Sequence, residues 1–162
     1  SYSIQRSILV TTKKAVQLEP VMEITNHPDW LNESFIKQTL EGEDPECNCE
    51  VISIKLSPGV SEGNNYCSIT YRVKVEYTKS QVVHKKSLFI KSPLVEGTLR
   101  GLIKEAKFAE KERLMYTKYF PFVSKIVSAK RISPISFPSP IHELLVMEDL
   151  SSQGYIMCDK FK

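Results

Sequence analysis

Between residues 51 and 92 apolar side chains recur at every second position, interrupted by two short breaks, and a period of two means β-strands. Residues 51–57 set Val51, Ser53 and Lys55 against Ile52, Ile54 and Leu56, and Pro58-Gly59 stops the run. Residues 67–77 alternate again, with Ile69, Tyr71, Val73, Val75 and Tyr77 on one face. Residues 79–81 make a turn, and a third strand starts at Val82 or Ser87 and runs to Ser92, before Pro93. Three strands joined by short turns predict an antiparallel meander.

Helical patterns flank the meander. Asp29 reads as the N-cap of a short amphipathic helix over 30–40. Residues 41–49 are acidic and turn-rich and read as a loop. Residues 99–119 lack proline and are rich in Ala, Lys, Glu and Leu, which predicts the longest helix, ended by Pro121. A fourth strand is expected at 126–132, a loop at 133–140 because of its three prolines, and a short apolar strand at 142–147 with a polar exit at 148–151. Residues 1–28 show no clean period and read as an N-terminal arm. The order helix, strands, long helix, strands gives an α+β class.

Composition removes several functions. The chain has 162 residues, 41% hydrophobic and 25% charged, enough for one domain or one lobe of a larger enzyme. The net charge of +3 is spread out, and Lys13-Lys14 and Lys85-Lys86 are the densest basic spots, so a nucleic-acid footprint is not expected. No apolar run approaches the roughly 20 residues of a membrane span. Ile8-Leu9-Val10, bracketed by Arg6, Lys13 and Lys14, is too short for a secretory signal core. Cys47 and Cys49 are one residue apart with no histidine beside them, a poor zinc spacing, so Cys47, Cys49, Cys67 and Cys158 read as reduced thiols of a cytoplasmic protein.

Four features stand in an order that suits one chemistry. The turn Glu62-Gly63-Asn64-Asn65-Tyr66-Cys67-Ser68 joins the first two strands. Its glycine and asparagines allow backbone N–H groups to approach phosphate oxygens, although the same residues also make an ordinary hairpin. Lys91 ends the third strand on the face of Phe89 and Ser87, with Leu88 and Ile90 facing the other way. It either runs its stem along the sheet to water or neutralises nucleotide phosphates. Of the acids on the long helix, Glu105 lies early and Glu110 has mostly polar neighbours. Glu112 has Phe108, Met115, Tyr116 and Tyr119 at helical spacing, so it is chosen as the partner of Lys91. Finally, residues 144–150 read as a buried strand leaving as an extended polar segment. There the Glu148 carbonyl and the Leu150 amide could meet an adenine ring, or Asp149 or Ser151 could cap a helix.

These residues, with Trp30-Leu31-Asn32-Glu33, Tyr71-Arg72-Val73, Phe89-Ile90-Lys91, Glu110-Lys111-Glu112, Met115-Tyr116-Thr117 and Leu145-Val146-Met147-Glu148-Asp149-Leu150, resemble the ecdysteroid kinase-like family. The resemblance covers about 29–162. It implies a protein-kinase-like N-lobe, a five-stranded antiparallel sheet with one major helix, over 29–150, with 151–162 opening a C-lobe in which Gly154-Tyr155 starts the first helix. It also implies ATP and magnesium as cosubstrates and a small hydroxylated molecule as acceptor. Gly63, Asn64, Asn65, Tyr66 and Ser68 would then form the phosphate loop, Lys91 and Glu112 the ion pair, and Glu148, Asp149 and Leu150 the hinge.

One family element has no counterpart here. The catalytic base of such a kinase is an Asp in a His-x-Asp loop, followed by an Asn and a second Asp for magnesium. The residues two places after His27, His84 and His142 are Asp29, Lys86 and Leu144. Asp29 precedes every other motif and reads as a cap, so no catalytic residue is assigned, and the fragment alone is expected to be inactive. The alternative is a non-catalytic nucleotide-binding or regulatory module from a degenerate kinase; a further rival is an unrelated interaction domain in which Lys91 and Glu112 lie apart on the surface.

Overall fold

The computed structural model describes residues 27–42, 48–60, 68–94, 100–127 and 132–156. The N-terminal arm as far as residue 26, most of the glycine-bearing turn (61–67), three of the four cysteines and the end of the chain from 157 lie outside the described residues.

Strands β1 (Cys49–Pro58), β2 (Ser68–Lys79) and β3 (Val82–Pro93) form the expected meander. β2 and β3 pair over their full length, and a two-residue turn joins them. Both turn residues, Ser80 and Gln81, have positive φ (50° and 63°). That is the twist of the turn best matched to a hairpin, reached here without glycine. β4 (Ser136–Phe137) and β5 (Leu145–Glu148) complete an antiparallel sheet of order β1-β2-β3-β5-β4. The five-stranded α+β architecture of a kinase-like N-lobe is therefore present. Of the fourth strand expected at 126–132, Ile126 ends a helix and 128–131 lie outside the described residues; the described fourth strand, β4, lies inside the proline-rich stretch read as loop. Two residues between prolines suffice, because β4 is an edge strand, where proline costs no ladder bond.

Helix α1 (Glu33–Glu41) covers one face of the sheet. Its cap is Asn32, not Asp29: the Asn32 side chain accepts from the Phe35 N–H at 3.0 Å, and Asp29 instead lends its carbonyl to Asn32. Leu31, Phe35, Ile36 and Leu40 pack on Val73, Val75, Leu88, Ile90, Val146 and Phe137. Trp30 closes the edge, with its ring 5.2 Å from Phe35 and 5.7 Å from Tyr71.

β1 departs from its predicted phase. Val51 pairs with Tyr77 and Ser53 with Glu76, so Ile52 is the extra residue of a β-bulge. A bulge shifts the alternation by one. Val51 therefore joins Ile54 and Leu56 against the core, and Ile52 is 54% exposed.

The long helix is also not continuous. α2 (Arg100–Glu105) ends at a break where Lys107 takes φ 52°, α3 (Phe108–Leu114) follows, a π-helical turn spans Met115–Tyr119, and α4 (Phe120–Ile126) completes the run. Pro121 does not stop it. The wide turn, with the Phe120 N–H bonded to the Met115 carbonyl, sits where a proline ring would press on the carbonyl four residues back. No described residue of α3, the π turn or α4 is buried. Little packing therefore enforces a straight α-helix there.

The core assignment predicts unequal costs in urea unfolding. Leu88→Ala, fully buried under α1, is expected to lose about 2–5 kcal/mol. Ile52→Ala at the bulge is expected to stay within about 0.5 kcal/mol of the parent.

Candidate functional site

The face of the sheet opposite α1 carries the polar chemistry. Cross-strand register places Thr70, Lys91 and Leu145 in one row, and Arg72, Phe89 and Met147 in the next. Because side chains alternate, both rows point away from Leu88 and Ile90. Lys91 donates to Glu112 Oε1 of α3 at 2.5 Å. The two side chains are 25% and 37% exposed, so the pair lies at the mouth of a groove and not in the core. The groove is lined by Ser68, Lys91, Pro93, Phe108, Glu112 and Glu143, among others, and holds about 70 Å³. That is room for a phosphate-sized group, with a larger ligand having to extend along the open sheet face. The apolar setting by which Glu112 was chosen differs in fact: Phe108, Met115 and Tyr119 are exposed. Glu112 turns inward because Lys91 is there to meet it.

Gly59 shapes this face at the end of β1. Its N–H donates to the Thr70 carbonyl at 2.9 Å, and a Cβ there would come within 2.6 Å of Thr70 and 2.9 Å of the Phe89 ring. Glycine is required because strand, threonine and ring meet too closely for any side chain. Phe89 and the buried Met147 form an apolar floor between Lys91 and the exit of β5. Sequence reasoning missed both as site residues, although Phe89 shares the parity of Lys91.

At that exit the two acids are held by the protein. The Glu148 carboxylate accepts from the Ile135 N–H at 2.7 Å and from Gln153 Nε2 at 2.8 Å. Asp149 is 2% exposed. Its Oδ1 accepts from the Ser151 N–H (3.1 Å) and Oγ (2.6 Å). Its Oδ2 accepts from Ser87 Oγ (2.8 Å) and forms an ion pair with Arg72 Nε at 2.8 Å. Its own N–H donates to the Ser87 carbonyl at 3.0 Å. Asp149 caps a 3₁₀ helix, Leu150–Gln153, which Gly154 closes at φ 87°. Gly154 thus ends a short helix, and the residues after 156, where the expected next helix would run, lie outside the described residues. The Leu150 N–H, at the first position of that helix, has no partner among the described residues.

The structure therefore brings Ser68, Lys91 and Glu112 to one groove and Asp149, through Arg72 and Ser87, onto the same sheet face, whereas Glu148 pairs with Leu88 and has the parity of the α1 face, and Leu150 follows at the β5 exit. Gly63, Asn64, Asn65 and Tyr66 lie outside the described residues. Among the described residues no group of three His, Cys, Asp or Glu side chains could hold a metal ion, and no helix is long and apolar enough to cross a membrane.

The ecdysteroid kinase-like family model matches residues 62–162. The chain belongs to the ecdysteroid kinase-like family. The match begins in the glycine-bearing turn and takes in Lys91, Glu112 and the exit from β5. Membership of this family suggests a kinase-like phosphotransferase, which suits a sheet lysine held by a helix carboxylate. No curated protein and no solved structure matches this family member.

The half-exposed Lys91–Glu112 pair is expected to contribute little to stability: Glu112→Gln should shift the unfolding free energy by at most about 1 kcal/mol. Asp149 behaves differently. Burial pushes its carboxyl up, but the hydrogen bonds from Ser151 and Ser87 and the Arg72 charge outweigh burial, and the group titrates below its ordinary value of 3.8. A depressed folded-state value means its stabilisation is complete above about pH 4 and is lost as pH falls through that depressed value. Asp149→Asn should remove this part of the acid loss, read as a flatter dependence of the urea midpoint on pH below about 4.

Proposed function

We propose that this chain is the ATP-gripping lobe of a small-molecule kinase that transfers the γ-phosphate to a hydroxyl group, with an ecdysteroid-like alcohol as the acceptor class. The observation that carries the reading is the Lys91–Glu112 contact of 2.5 Å at a groove on the same sheet face as the β5 exit. An ammonium anchored by a carboxylate cannot swing away, so it presents a fixed positive charge where phosphates arrive. Ser68, at the end of the glycine-bearing turn, lines the same groove. The Leu150 N–H supplies a donor of the kind an adenine ring nitrogen accepts, and Phe89 and Met147 supply an apolar surface for the ring.

Phosphoryl transfer is positioning and charge neutralisation. On this reading the chain performs the first half: it binds the nucleotide and holds its phosphates. The described residues do not fit magnesium, since Glu112 is committed to Lys91 and no three-residue ligand group exists among them. Base and metal ligands would come from a C-terminal lobe, and the contact of Lys91 with Glu112 disfavours the reading of an unrelated interaction domain.

Nucleotide titration followed by thermal shift tests the proposal. ATP is expected to raise the melting temperature of the chain, and Lys91→Met to remove that rise while the protein remains folded. An undiminished rise in Lys91→Met takes Lys91 out of the site. With a C-terminal lobe supplied, phosphate transfer to an alcohol is expected. Binding without turnover in that longer protein would instead favour a regulatory module.

A further inference from the structure

Arg72 meets Asp149 and takes no part in the nucleotide contacts proposed above, and the carboxylate of Asp149 is turned to the protein. Both oxygens of its carboxylate, its N–H and its carbonyl are engaged within the protein, the carbonyl by the Ser152 N–H (3.2 Å) and Oγ (2.6 Å). These partners come from three places in the fold: Arg72 from β2, Ser87 from β3, and Ser151 and Ser152 from the 3₁₀ helix. Arg72 and Ser87 lie on the Lys91 face, one and two rows further along the sheet from Lys91. A buried carboxylate held by three hydrogen bonds, from Ser87 Oγ and the Ser151 N–H and Oγ, and by the charge of Arg72 has one low-energy orientation, because each lost bond would leave it under-satisfied. It therefore fixes the direction in which the chain leaves β5, and with it the aim of the Leu150 N–H, which stands between the residue holding the carboxylate and the residue that caps onto it.

We propose that the Arg72–Asp149–Ser87 cluster is a positioning unit for nucleotide: it touches no ligand, but sets the Leu150 N–H and the β5 exit at a fixed place relative to Lys91. The inference rests on the nucleotide reading above and adds a division of labour to it. Lys91 and Glu112 act on the phosphates, and Arg72 and Asp149 act on the base through the backbone. Removing the cluster weakens every ligand that carries the base by the same factor, whereas removing Lys91 weakens only those that carry phosphates.

The test compares adenosine with ATP by calorimetric titration of this chain. Asp149→Asn keeps the shape but offers no negative charge to Arg72. It is expected to weaken adenosine and ATP alike, by about tenfold, the scale of a stranded buried group. Arg72→Met should do the same, and Arg72→Lys should recover part of the loss. Amide exchange at Ser151 and Gly154 should quicken in these variants while Val73 and Ile90 stay protected. Unchanged affinity in Asp149→Asn, a loss confined to ATP, or faster exchange spread evenly over the sheet each overturns the positioning role alone. Should Asp149→Asn fail to fold, Ser87→Ala removes a single partner and is read by the same ratio. A parent chain that binds neither ligand overturns the nucleotide reading itself and this inference with it.

Discussion

Strand β3 faces two ways, and the rest of the structure follows from that. Leu88 and Ile90 are fully buried under α1, while Phe89 and Lys91 point to the opposite side. The first pair ties the sheet to its apolar core. The second begins a polar surface that the core does not need for stability. Since the period is two, a slip of one residue would carry Lys91 into the core and Ile90 out of it, and burying an unpaired ammonium is among the costliest errors a chain can make. The register of β3 against β2, and with it the position of Lys91, is held by the hydrophobic effect acting on its neighbours.

Core and site are accordingly supported by different elements. The described hydrophobic core is made by α1 and the sheet, and no described residue of α3, the π turn or α4 is part of it. What binds α3 to the sheet at the site is the Lys91–Glu112 contact, supplemented by the 2.8 Å hydrogen bond between Arg113 Nη2 and His142 Nε2 just before β5. Such an arrangement leaves the helix free of the tight packing that enforces regular geometry, and a left-handed residue at Lys107 and a π turn at Met115–Tyr119 are both tolerated. Further along the sheet the exit from β5 is held by many more bonds, through Glu148 and Asp149. One side of the site is thus lightly attached and the other is fixed.

The sheet and the pairing of Lys91 with Glu112 were legible because each rests on a local rule. Alternation assigns faces, and helical spacing ranks the acids. Where a rule depends on a single extra residue it misled. The bulge at Ile52 leaves no mark in the composition of β1, since Val51 and Ile52 are equally suited to a core. Asn32 and Asp29 are both good caps, and only the packing of Leu31 and Phe35 against the sheet selects which one opens α1. The two-residue β4 was hidden among prolines that normally exclude a strand.

By itself the sequence determined the meander, the facing of Lys91, the α+β class and the family resemblance, because backbone periodicity and ordered motifs are properties of neighbouring residues. Tertiary structure alone decided the bulge, the break and π turn in the long helix, and the enclosure of Asp149 by Arg72 and Ser87. Those partners lie 77 and 62 positions away in the chain. No local pattern encodes a contact at such separation; it exists because pairing β3 with both β2 and β5 brings three distant residues to one point where a buried charge must be satisfied.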